Sequence, residues 1–188
     1  MITIIDSLHI GTGRDRICYL SPTDPNICIK ISKSSNKQSR REVSYYKFLM
    51  SKNIDMSHIA KYYGPISTDR GKGECFEVIR DYDKNISLTL RQCIQKKLLD
   101  KEEILHLLES LKKYLLDNMI VTRDLSPANI MIHRYTKMDI GIKIIDGLGN
   151  PNLNPLTIRM KFLASKATLK SFKSLMKKTH REIEQSNS

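Results

Sequence analysis

No stretch of the chain approaches the roughly 20 consecutive apolar residues that a membrane-spanning helix needs, which excludes a helical span. The opening residues, Met1–Gly11, carry neither a basic n-region nor a small-residue cleavage site, so no secretory leader is expected. Cysteine is sparse: Cys18, Cys28, Cys75 and Cys93 stand alone, with no C-x-x-C spacing and no histidine pair nearby. A disulfide framework and a structural zinc site both fall, and reduced, mostly buried thiols in a cytoplasmic protein are expected instead. Tryptophan is absent, and there is neither an internal repeat nor a low-complexity tract. Acidic side chains are in short supply, 20 against 32 basic ones for a net charge of +12. The shortage is local: residues 159–188 hold eight basic and two acidic side chains, about half of the whole excess, while the rest of the chain is close to balance. A nucleic-acid reader spreads basic charge over its reading face, so nucleic acid is not the expected partner.

What is present suffices for a folded core. A length of 188 residues suits one ordinary domain or two small lobes, and 40% apolar with 28% charged residues argues against global disorder. Up to residue 80 the chain reads as short β-branched runs, Ile2–Ile5, Ile17–Leu20, Ile27–Ile31, Tyr62–Ser67 and Cys75–Arg80, parted by segments rich in turn formers. One helix interrupts them: Ser39 and Glu42 have capping-box spacing, and Val43, Tyr46, Leu49 and Met50 recur at helical intervals. Beyond residue 83 the texture turns helical. Ser87 is positioned to cap a short helix through Leu90, Cys93 and Ile94, and a stronger helix spans Lys101–Asn118 with Ile104, Leu107, Leu108, Leu111 and Leu115 on one stripe. Two strand-like pieces come next, Asn129–His133 and Gly141–Ile145, then the irregular Asn150–Pro155, then a basic helix whose Phe162, Leu169, Phe172 and Met176 form a stripe expected to pack on the preceding helices. The pattern is an α+β bilobal layout with a linker near Arg80–Lys84.

Chemistry-bearing residues occur in an informative order. Gly11-Thr12-Gly13 sits where backbone N–H groups can approach phosphate. Lys30 is the only charge in the apolar run Ile27–Ile31, and Glu42 comes on the next helix. Asp124 and Asn129 stand five apart, ahead of Ile144-Ile145-Asp146-Gly147. Each has an ordinary reading: a turn glycine pair, a lysine snorkelling from an edge strand, a helix cap, a turn dipeptide. The spacing of Asp124 and Asn129 before an apolar-apolar-Asp-Gly segment is sharper, because it gathers an acid, an amide oxygen and a second carboxylate suited to a hydroxyl nucleophile and to divalent ions bridging phosphates.

Together these elements resemble a reduced protein-kinase-like fold: a glycine-rich loop, a strand lysine, a helix glutamate, Thr122–Asn129 (TRDLSPAN) as catalytic loop and Asp146–Gly149 (DGLG) as metal loop. More narrowly, IGTGRDRICY, CIKI, REVSYYKFL, EVIRDYD and RDLSPANIMI resemble the small bacterial YrbL family of PhoP-regulated proteins. The resemblance implies a protein-kinase-like bilobal fold, with a β-rich N-lobe over residues 1–83 and a shortened helical C-lobe over residues 84–188. It implies ATP and magnesium as cofactors, Gly11 and Gly13 near the nucleotide phosphates, and Lys30 on those phosphates and paired with Glu42. It also implies Glu77 and Ile79 at the adenine edge, Asp124 as the residue orienting or deprotonating the acceptor hydroxyl, and Asn129 and Asp146 as magnesium ligands.

The chain also departs from the kinase pattern. Arg16 stands where a third glycine is usual, and Arg14 and Arg16 either reach phosphates or solvate the loop, solvation being the simpler reading. Thr122 replaces histidine and Leu148 replaces phenylalanine. Only residues 147–188 come after Asp146, without room for the usual peptide-docking helices. Three functions are weighed: a minimal kinase-like phosphotransferase whose acceptor is a small molecule or a protein; a nucleotide-binding pseudokinase or interaction module without turnover; and a binder of anionic surfaces or RNA through residues 159–181. The first is favoured because Lys30, Glu42, Asp124, Asn129 and Asp146 are all present.

Overall fold

A computed structural model of the chain describes residues 1–33, 37–149 and 161–187. Strands β1 (His9–Thr12), β2 (Arg16–Leu20), β3 (Ile27–Ser32), β4 (Tyr62–Thr68) and β5 (Gly71–Glu77) form an antiparallel sheet in the order β1-β2-β3-β5-β4. Helix α1 (Lys37–Ser51) lies between β3 and β4 in sequence. Strands β6 (Leu88–Thr89), β7 (Ile130–Arg134) and β8 (Ile140–Ile144) form a second antiparallel sheet, accompanied by α2 (Leu90–Gln95), α3 (Lys101–Asp117) and α4 (Lys161–Asn187). The fold is therefore mixed α and β with antiparallel sheets and, among the described residues, four helices. None of those helices is long and apolar enough to cross a membrane.

The pleat explains the first sheet. In β3, Cys28, Ile29 and Ile31 are buried while Lys30 is only half-buried, and the β2–β3 register sets Lys30 opposite Cys18. Because alternate side chains face opposite sides, Ile29 and Ile31 join Ile4, Tyr19 and Cys75 in a small cluster on one face. Cys28 and Phe76 belong instead to the main core on the other face, which runs from Tyr46 and Leu49 of α1 through Leu108 and Leu111 of α3 to Leu175 of α4. All four cysteines are free, three of them buried.

Several boundaries differ from the sequence expectation for physical reasons. Of Ile2–Ile5, only Ile2 joins the sheet, through a parallel bridge to Thr68. The turn before β5 closes tightly on Gly71, whose φ of 108° suits glycine alone, so Gly71–Gly73 enter the strand and the pairing ends at Glu77. Ser39 lies inside α1 and Glu42 makes no cap, being drawn instead to Arg16. Helix α2 is capped by Thr89 and Gln92, since Ser87 spends its hydroxyl on Asp81. Helix α3 has the expected stripe and an Asp100–Glu103 capping box. The segment Arg80–Lys84, expected as a linker, is tied down by Arg80, which donates to the Pro25 and Lys84 carbonyls at 2.7 and 2.8 Å. The expected irregular segment Asn150–Pro155 lies outside the described residues.

Helix α4 packs on α2 and α3, yet only half of its expected stripe does so. Phe172 and Leu175 are buried and Met176 partly so, whereas Phe162 is 74% and Leu169 45% exposed. Small and hydroxylated residues complete the buried face: Ala164, Thr168, Ser171 and Thr179, with Thr168 donating to the Ile120 carbonyl at 2.8 Å. Arg91 pins the helix through Glu182 at 2.8 Å, while Lys166, Lys170, Lys173 and Lys177 stay exposed. Leu175→Ala is expected to cost about 2–5 kcal/mol and Phe162→Ala less than about 0.5 kcal/mol, as read from urea unfolding. Equal losses would contradict this packing.

Candidate functional site

Lys30 leaves the sheet toward the loop after β8. Its ammonium donates to the Ile145 carbonyl at 2.6 Å and lies 4.3 Å from the centre of the Phe76 ring, a cation–π arrangement. The Lys30–Glu42 pair implied by the resemblance is not formed. Glu42 is paired instead with Arg16, whose Nη1 lies 2.7 Å from Glu42 Oε2 and whose Nη2 lies 2.5 Å from Asp146 Oδ2. The Arg16 side chain is 12% exposed, so it does not solvate the loop as the simpler reading held. Three segments distant in sequence are joined by one guanidinium, whose rigid fork suits two carboxylates.

The remaining residues meet below this cluster. Asn129 donates its side-chain amide to the Asp124 carbonyl at 3.1 Å and accepts the Ile145 N–H at 2.9 Å on its own backbone carbonyl. Arg123 and Asp124 donate their N–H groups to the Gly147 carbonyl at 2.8 and 3.3 Å, and Thr122 bridges to Leu148. So close an approach requires glycine: φ of Gly147 is 88°, and a Cβ there would lie 2.3 Å from the Asp124 carbonyl oxygen. Asp146 Oδ1 accepts the Gly147 N–H at 2.6 Å. Lys30, Glu42, Asp146, Asn129 and Asp124 thus belong to one continuous set of contacts, with Arg16 added.

Lys178 of α4 escaped the sequence reading. It donates to Asp124 Oδ1 at 2.9 Å and to the Leu125 carbonyl at 3.2 Å. The only signal in the sequence was its membership of a basic helix, which does not single out one lysine from its neighbours.

The glycine loop and the linker depart from the expected roles. Gly13 spends its N–H on the Arg16 carbonyl at 2.8 Å, closing the β1–β2 turn, and its carbonyl accepts Lys33 Nζ at 2.8 Å. Gly11 has open space over its Cα. Glu77 donates its N–H to the Lys61 carbonyl and pairs its carboxylate with Lys143 at 2.9 Å, while the Ile79 carbonyl accepts the Ser87 N–H at 2.9 Å. Of the backbone groups expected free for an adenine edge, the Glu77 N–H and the Ile79 carbonyl are engaged within the chain.

The sequence matches the family described as PhoP regulatory network protein YrbL over residues 2–180. It is 38% identical over 170 residues to the YrbL proteins of Escherichia coli strain K12 and Shigella flexneri, covering 86% of this chain and 80% of each relative. The chain belongs to the YrbL family. The contacts of Lys30, Glu42, Asp124, Asn129 and Asp146 all lie inside the matched span, as does Lys178.

Electrostatics divide the two carboxylates of this YrbL-family site. Glu42 is 4% exposed; burial first, then the neighbouring Asp146 charge, push it up to about 7 against the pull of Arg16 and Lys30. Burial alone would also raise Asp146, but the Lys30 and Arg16 charges hold it well below the usual carboxylate range. Two adjacent carboxylates therefore separate, one kept ionised beside the cations and one retaining a proton.

Two outcomes are expected. Arg16 of β2, Lys30 of β3, Asp146 and the α1 residue Tyr46 face Glu42, and its native carboxyl holds a proton from 4.5 to about 7 that the unfolded one has released. The native state binds more protons across that window, so stability falls as pH rises through it. Asp146, shifted downward, loses its contribution only as pH drops below 3.8. Thermal unfolding in metal-free buffer should show this loss in the wild type and not in Glu42→Gln; parallel profiles would refute it. Gly147→Ala should cost about 1–3 kcal/mol or more in urea unfolding, and unchanged stability would show that the loops do not meet as described.

Proposed function

We propose that this YrbL-family chain is an ATP- and magnesium-dependent phosphotransferase on a reduced, two-lobed kinase-like fold, acting on a small molecule or an exposed protein side chain. The observation that carries the reading is the convergence of Lys30, Glu42, Asp146, Asn129 and Asp124, drawn from β3, α1 and the segments flanking β7 and β8, on one set of contacts. Lys30 is held by a neutral carbonyl rather than a carboxylate, which leaves its charge available to phosphate oxygens. Asp124 is 62% exposed at its side chain, open to an acceptor hydroxyl whose proton it takes or orients.

The donor set suits magnesium. Among the described residues no three His, Cys, Asp or Glu side chains gather as a protein-only metal cage. Magnesium favours one or two protein oxygens completed by phosphate and water, and the Asp146 carboxylate and Asn129 amide oxygen are of that kind. Bound there, it would neutralise charge on the transferring phosphoryl group. Gly147 holds the Asp146 loop against the Asp124 loop, so metal ligand and acceptor-orienting carboxylate keep a fixed separation.

A nucleotide-binding module without turnover is the second reading, favoured by Lys178 on the very carboxylate that must receive the acceptor. Radiolabelled ATP with magnesium, combined with a search for labelled product, separates the two. Calorimetry should show magnesium-dependent ATP binding that Lys30→Ala weakens about tenfold or more, the loss of a charge-assisted contact of ~1.5–3 kcal/mol. Asp146→Asn should abolish the metal dependence. Equal affinity in wild type and Lys30→Ala, or identical binding with and without magnesium, would overturn the assignment.

A further inference from the structure

Among the described residues, several buried polar atoms around the site lack hydrogen-bond partners: Glu42 Oε1 and Arg16 Nη1 in the ion cluster itself, and beside it the Tyr46 hydroxyl and Thr122 Oγ1. Nη1 lies 2.7 Å from Glu42 Oε2, close enough for charge pairing, but the N–H bonds are not aligned on that oxygen. A buried guanidinium nitrogen without an acceptor is costly, and such a group calls for a partner that the chain itself does not supply. Its other nitrogen, Nη2, is on Oδ2 of Asp146, the carboxylate proposed above to hold a divalent ion.

Charge accounts for what this arrangement would take. Arg16 and Lys30 lie against an ionised Asp146 and a Glu42 that retains its proton over part of the neutral range, so the four side chains together carry from zero to one net positive charge. A nucleoside triphosphate brings several negative charges, more than Lys30 and one divalent ion compensate. Arg16 starts the strand after the glycine turn, with its side chain already turned inward beside Lys30's carboxylate neighbours.

We propose that Arg16 is a second phosphate-binding cation of this site, stored on Asp146 while no nucleotide is bound. Arg16 gives up Asp146 Oδ2 to the divalent ion and turns Nη1 and Nη2 to phosphate oxygens, while Glu42 keeps the guanidinium in place. Glu42 is thereby a positioning residue for Arg16 rather than for Lys30. The inference rests on the proposed nucleotide binding and adds to it the residue that recognises the polyphosphate.

The test compares ATP with AMP, both with magnesium, by calorimetry on full-length wild type, Arg16→Ala, Arg16→Gln and Lys30→Ala. Arg16→Ala should lower the ATP-over-AMP preference by about tenfold or more while AMP affinity stays near wild type; a merely structural role would lower both affinities together. Arg16→Gln keeps a polar hydrogen-bonding side chain without the charge, and it carries the test if the alanine variant does not fold. A wild-type ATP-over-AMP preference in the glutamine variant, alongside a weakened Lys30→Ala, overturns the role of Arg16 and leaves the nucleotide reading standing. No ATP binding by the wild type overturns both.

Discussion

Two carboxylates held side by side in a largely buried place repel one another and lose their hydration, and the rest of the site depends on how that cost is met. Arg16 meets it with a fork that reaches Glu42 on one arm and Asp146 on the other. Lysine, a single point charge on a flexible stem, cannot bind two separate carboxylates in a fixed plane. By joining β2, α1 and the loop after β8, the guanidinium sets the distance between the first sheet and the Asp146 loop. Lys30 is then free to rest on Ile145 and on the Phe76 face.

A second constraint is backbone contact between the loops of Asp124 and Asp146. Gly147 admits the Asp124 carbonyl at a distance that no side chain tolerates, and its own carbonyl collects the N–H groups of Arg123 and Asp124. Asn129 closes the arrangement from below. Helix α4 packs its buried face against α2 and α3 and lays Lys178 across Asp124. One helix therefore supplies both core and a charge at the carboxylate proposed to face the acceptor, so its packing and the state of that carboxylate are linked.

Much of this was legible in the chain itself. Helix α3 and its stripe, strands β2, β3, β7 and β8, and the candidates Lys30, Glu42, Asp124, Asn129 and Asp146 come from local periodicity and spacing, because a pleat repeats every two residues and a helix every 3.6. The family relationship was also legible in short strings of residues spread over most of the length. Where local rules were close to a tie, they failed. Ser39 and Glu42 have the spacing of a capping box, but the carboxylate goes to a buried cation. Gly71–Gly73 read as turn and pair as strand. In α4, Phe162 and Leu169 fit the apolar stripe, yet the buried face uses alanine, threonine and serine, since close helix packing prefers small residues there.

The sequence by itself determined which residues are the candidates for the proposed phosphate and metal chemistry, and their order, because side-chain type and local repeat are properties of the chain. Only the tertiary structure decided who is paired with whom. Arg16 rather than Lys30 answers Glu42, Lys178 rather than any neighbouring lysine answers Asp124, and the Glu77 N–H and the Ile79 carbonyl are taken up within the chain. The two cation choices are made between groups far apart in sequence, by burial and by the reach of a particular side chain. Neither quantity exists until the sheets and helices have closed around the site.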